Sequence, residues 1–172
     1  MKAPLVALLF AAFASASAQN PSSPLPPACG PNNVDFDVKL DKSPHALTPP
    51  ESGKARIYIL QDIGVAGPPG FTTATGPTMF AVDGAWAGAI HGAAYFSIPV
   101  DPGEHHICAA TRYFDRVAGT SVLALAHLHT EAGKSYYYRL RLGEYIELEP
   151  LDTDEGDFVI PNYPLSISHP KK

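Results

Sequence analysis

The sequence predicts an all-β protein, an antiparallel β-sandwich (immunoglobulin-like or similar) of about seven to nine short strands. Three observations carry that expectation. Ser135 to Leu142 alternates without a break: Tyr136, Tyr138, Leu140 and Leu142 fall on one side, and Tyr137, Arg139 and Arg141 on the other. This is the period of a strand with one buried and one wet face. Turn signals recur between such runs, at Asp83-Gly84, at Asp101-Pro102-Gly103-Glu104 and at Glu131-Ala132-Gly133-Lys134. The composition also suits short strands divided by turns, with 14 Gly, 18 Pro, 8 Tyr, 8 Phe and only 17% charged residues.

From the N-terminus, residues 1–18 have the make-up of a signal peptide. Lys2 gives the positive region, Leu5 to Phe13 the apolar core, and Ala16-Ser17-Ala18 a small-x-small cleavage site before Gln19. The apolar run is too short to span a bilayer. The expectation is an exported chain, periplasmic or extracellular, with no transmembrane segment after cleavage. Lipidation of Cys29 competes with this, but Pro26-Pro27-Ala28 precede it and Leu25 lies one place too far upstream.

Residues 19–53 form a Pro-rich N-terminal segment. Gln19 to Asn33 is a spacer or covering segment. Val34, Phe36, Val38 and Leu40 alternate with charges and predict one edge strand. The sandwich domain is expected over 54–160. Its strands are Ala55–Leu60, the hairpin Met79–Val82 and Ala85–Ile90, then Tyr95–Val100, a strand from His105, Leu123–Leu128, Ser135–Leu142 and one through Ile146 and Leu148. From Tyr95 to Leu142 these read as a meander of antiparallel neighbours. Leu123–Leu128 is apolar on both faces and predicts a central strand. Residues 61–77 hold Gly64, Gly67, Pro68, Pro69, Gly70, Gly76 and Pro77, a long irregular loop. Phe158-Val159-Ile160 predicts a helical turn or an edge strand. Residues 161–172 read as a tail whose alternation at Leu165 and Ile167 would let it dock.

Cys29 and Cys108 are the only cysteines. Export permits a disulfide, and two cysteines allow one pairing. A closed loop of about 80 residues is worth roughly 4–5 kcal/mol in the chain-entropy model. Alternation sets Cys108 opposite Ile107, so the bridge would clamp the N-terminal segment across the outside of that strand.

With these elements placed, Ala55 to Leu151 resembles a bacterial family known only as domain of unknown function 2846. The matching pieces are Val82-Asp83-Gly84, Pro102-Gly103-x-His105-x-Ile107 and Glu131-Ala132-Gly133-Lys134-x-Tyr136-Tyr137. The resemblance implies an exported protein or lipoprotein carrying a small β-sandwich. It implies no activity, so no catalytic residue is carried over. The chain departs from the family pattern in its cysteine pair, its long Gly/Pro loop and its lack of a lipidation cysteine.

Several groups are candidates for chemistry. His127 and His129 lie two apart on a strand and face one side. With His105 they predict a zinc, copper or iron site. Otherwise His105 caps the core beside its turn. Trp86, Tyr137 and Tyr145, with Tyr136 and Tyr138, offer a sugar-stacking face or plain packing. Asp152, Asp154, Glu155 and Asp157 lack the pattern of a calcium loop and suit a solvated turn. Ser97, Ser121 and Ser135 sit in no nucleophile elbow. A net charge of −5 without a basic cluster disfavours nucleic acid. The expected function is a non-enzymatic, envelope-associated binding or accessory module without a cofactor, whose partner is a protein or glycan of the cell envelope. The alternatives are a metal-binding protein or metal-dependent enzyme, and a carbohydrate-binding module.

Overall fold

The computed structural model describes residues 26–31, 34–62, 76–112, 121–142 and 146–171. The signal peptide, most of the 61–77 loop and Tyr145 lie outside the described residues. The elements are β1 Phe36–Asp41, β2 Ala55–Gln61, β3 Thr78–Val82, β4 Ala85–Ile90, β5 Ala94–Val100, β6 Gly103–Arg112, β7 Ser121–Thr130, β8 Ser135–Leu142, β9 Ile146–Leu151, α1 Thr153–Val159, a 3₁₀ turn Ile160–Asn162, and β10 Leu165–Pro170.

The fold is all-β, in two sheets. One has six strands in the order β1-β10-β5-β2-β8-β9, and the other four in the order β4-β3-β6-β7. The larger sheet is mixed, because β2 runs parallel to β8 and β10 parallel to β5. Strict antiparallel order therefore fails there. The 161–172 segment supplies β10, which pairs with β1 along its whole length and brings the described strands to ten. Residues Phe36–Asp41 do take the edge of their sheet.

The Asp83-Gly84 hairpin forms as its sequence demands. Both residues take positive φ, 51° and 82°, the two-residue turn that matches strand twist. The two other turns behave differently from a meander. Asp101 to Gly103 carries the chain from β5 in one sheet to β6 in the other, and Glu131 to Lys134 carries it back from β7 to β8. A Gly turn satisfies local geometry whether the next strand pairs with the last or faces it across a core, so the signal alone does not choose. β7 is an edge strand, not a central one. Its second apolar face is the outward Leu125, which is 55% exposed.

The sheets share one core. Ile57, Ile59, Phe96, Tyr138 and Leu140 of the six-stranded sheet meet Phe80, Ile90, Ile107 and Leu128 of the four-stranded one. The Phe80 and Phe96 rings are 5.4 Å apart across it. Along one side β10 closes the open edge of β4. Ser166 Oγ donates to the Ala89 carbonyl at 2.7 Å, and the Ala89 N–H donates to Ser168 Oγ at 2.9 Å. Such cover removes an edge that would otherwise invite pairing.

The outer face of the larger sheet is not wet. Tyr58, Leu60, Tyr95, Tyr137 and Ile160 form a second buried cluster, packed by Leu47, Leu151, Val159, Tyr163 and Leu165. Every residue of β2 is therefore buried, which fits its near-continuous apolar sequence and its parallel partner.

Candidate functional site

A cleft of about 400 Å³ opens over this second cluster. Its walls are the 47–50 loop with Pro49 and Pro50, the start of β8 with Lys134 and Ser135, and α1 with Thr153 and Asp157; Tyr58 and Tyr137 form its floor. Each wall has a local cause. Two successive prolines hold the loop extended. Gly133 takes a φ of 79° to turn into β8, its N–H donating to the Lys54 carbonyl at 2.8 Å. Asp152 caps α1, its carboxylate accepting from the Glu155 N–H at 2.7 Å.

Side chains on the outer face of β8 bind α1 to the sheet. The Tyr137 hydroxyl donates to Asp157, and Arg139 lies 3.2 Å from both Glu155 and Asp62. Gly156 rests flat on the Tyr137 ring, where a β-carbon would collide. The other ring face stacks on Tyr58 at 5.1 Å and 11°. Burial, then the bond to Asp157, pushes the Tyr137 pKa up to about 12. The Tyr58 hydroxyl donates to the Thr48 carbonyl at 2.6 Å, and burial raises its pKa too.

These contacts settle where the sugar-stacking candidates stand. Tyr137 lines the cleft, but both ring faces are covered, so it offers an edge and not a platform. Trp86 packs on the cluster of Cys29, Ala81, Cys108 and Ala110, and its Nε1 donates to the Pro31 carbonyl at 2.9 Å. Tyr145 is outside the described residues. Three of the four acidic residues have partners: Asp152 is a helix cap, and Glu155 and Asp157 are held by Arg139 and Tyr137; Asp154 is exposed in the first turn of α1. Ser97 accepts from Arg56 at 3.1 Å.

The histidines do not converge as expected. His127 and His129 do share the outer face of the four-stranded sheet, but His105 points inward, 8% exposed. Its Nδ1 is 2.6 Å from Asp83 Oδ2 and its Nε2 is 2.7 Å from the Asp101 carbonyl. Burial lowers its pKa, the two acceptors outweigh burial, and the net position is above 6.5. It thus acts as a cationic tie between the two turns at that end. His106 takes the place beside His127, with ring centroids 4.8 Å apart. Parity held the signal, since His106 shares the side of Cys108 and His105 that of Ile107. Among the described residues, no group of three or more His, Cys, Asp or Glu is placed to hold a metal ion.

The Cys29–Cys108 disulfide is present, with Cα atoms 5.1 Å apart. It clamps residues 26–31 over the outer face of the four-stranded sheet, as the alternation requires. The Gly84 N–H also donates to the Ala28 carbonyl at 3.1 Å. Among the described residues, no helix is long and apolar enough to cross a membrane.

Comparison of the chain with protein-family models, with curated proteins and with solved structures yields no match.

Proposed function

We propose that this protein is an exported, non-enzymatic binding or accessory module of the cell envelope, a sandwich-type scaffold whose ligand enters the cleft over Tyr58 and Tyr137. The observation that carries this is the cleft itself. Its volume of about 400 Å³ lies in the range of small-ligand sites, and its walls are tied by the Asp152 cap and the Tyr137–Asp157 and Tyr58–Thr48 hydrogen bonds. Covalent closure by Cys29–Cys108 fits an oxidising compartment.

The cleft presents Lys134, Ser135, Thr153 and the carboxylate of Asp157 beside proline and tyrosine edges. A small polar fragment with both donors and acceptors fits that lining better than a flat apolar ring. A peptide or sugar unit of the envelope has this character.

The test is calorimetric titration of the mature, oxidised chain with soluble peptidoglycan and oligosaccharide fragments, followed by mass spectrometry of the titrant. Saturable binding is expected, lost in Lys134→Ala and weakened in Thr153→Ala while the melting temperature holds. Turnover of a fragment, or binding indifferent to both substitutions, would overturn the proposal.

A further inference from the structure

The outer face of the four-stranded sheet, beyond the disulfide, carries four donors on the β6–β7 ladder. Glu104 pairs with His129 and His106 with His127. All four are exposed. Facing residues on such rungs stand about 4.5–5.5 Å apart at Cβ, so their side chains meet without any shift of backbone. Glu104 Oε2 lies 2.8 Å from His127 Nε2, and Oε1 lies 2.7 Å from His129 Nδ1. The hydrogen bond from His129, helped by His127, holds the Glu104 carboxyl below its usual range.

One spacing in this cluster bears directly on metal binding. Two imidazoles on adjacent positions of one divalent ion, with metal–nitrogen bonds of about 2.0–2.1 Å, have ring centroids roughly 4.5–5.2 Å apart. His106 and His127 are held at 4.8 Å, on opposite strands of one ladder.

We propose that Glu104, His106, His127 and His129 form a surface site for a divalent transition ion of the zinc or copper class. Imidazole and carboxylate donors suit those ions. In the metal-free arrangement Glu104 faces His127 and His129, and among the described residues no three donors are grouped around a metal position. The ion enters by exchange. Its entry breaks the hydrogen bonds between Glu104 and the two imidazoles; each ring turns a nitrogen lone pair to the ion about its own torsions, and the strands stay where they are. Water completes the open side. Only an unprotonated ring nitrogen binds the ion, so affinity is expected to fall in acid.

A solvated charged strand face would give the Glu104 pairs and the His106–His127 contact equally well. The experiment separates the two. Untagged, oxidised mature chain is titrated with copper and zinc chloride near neutral pH, by calorimetry and, for copper, by electron paramagnetic resonance. One ion per chain is expected at about micromolar affinity, with nitrogen couplings from at least two imidazoles. His106→Asn and His127→Asn should each weaken binding roughly tenfold or more, while His45→Asn leaves it unchanged. Melting curves without metal check that the exposed variants fold. No saturable uptake, or uptake unaltered when His106, His127 and His129 are all replaced by Asn, would overturn the site.

Discussion

The two sheets turn opposite surfaces outward. The six-stranded sheet covers its outer face with α1, the 3₁₀ turn and the 47–50 loop, and ties Tyr137 to Asp157, Tyr58 to Thr48 and Arg139 to Glu155 there. Among the described residues, the four-stranded sheet is covered on its outer side by residues 26–31, held by the disulfide, and by Val34, Phe36 and Val38 over Met79 and Ala89, while Glu104, His106, His127 and His129 are exposed. The first arrangement makes a rigid recess out of a second core. The second needs a covalent strap, because a short segment carrying little apolar surface beyond Cys29 and Trp86's partners cannot hold itself down by burial. The same architecture thus gives one preorganised surface and one adaptable surface.

That contrast can be broken in order of expected effect. Replacing both cysteines, Cys29→Ala with Cys108→Ala, should lower stability by roughly 2–5 kcal/mol, read by urea denaturation. A loss under about 1 kcal/mol would mean the strap is held by other contacts. On the other sheet, Gly156→Ala should cost about 1–3 kcal/mol and loosen α1, because the new β-carbon meets the Tyr137 ring. An unchanged melting curve would show that α1 is not seated on that ring.

His105→Gln tests the tie at the end of the four-stranded sheet and should cost about 1–2 kcal/mol near pH 6. Its pH dependence has a definite sign. Because the folded pKa of His105 lies above 6.5, the stabilisation is complete below 6.5 and disappears as pH rises through the folded value. Asp83, whose pKa is lowered against a burial effect that alone would raise it, loses its share only as the pH falls through its own folded value. The wild type should therefore lose stability relative to His105→Gln as the pH climbs through the folded value, and a flat difference would remove the cationic tie. The smallest effect is expected at the open end. His106→Ala should change stability by less than about 0.5 kcal/mol without metal, since its side chain is exposed.

The sequence was most legible where one residue's chemistry decides one local geometry. Asp83-Gly84 had to be a tight hairpin, and the parity of Cys108 against Ile107 put the disulfide on the outside. It was least legible where the deciding partner is far away. Gly103 and Gly133 mark turns, but whether a turn pairs two strands or crosses between sheets depends on which surfaces remain to be buried. The apolar Leu125 looked like a sign of a central strand because sequence does not reveal the missing neighbour. The covered tyrosines followed the same rule: Tyr137 alternates with Arg139 like a solvent-facing residue, and its cover comes from α1, Gly156 above all. The candidate cleft was illegible for that reason, since Thr48, Ser135 and Asp157 meet only after β2 and β8 align in parallel. His106 was recoverable from parity alone.

The most direct test is amide chemical-shift mapping of the isotope-labelled, oxidised mature chain during titration with peptidoglycan and oligosaccharide fragments. The account predicts saturable shifts concentrated at Thr48, Lys134, Ser135, Thr153 and Asp157. Shifts confined to the β6–β7 face, or none with any fragment, would contradict it.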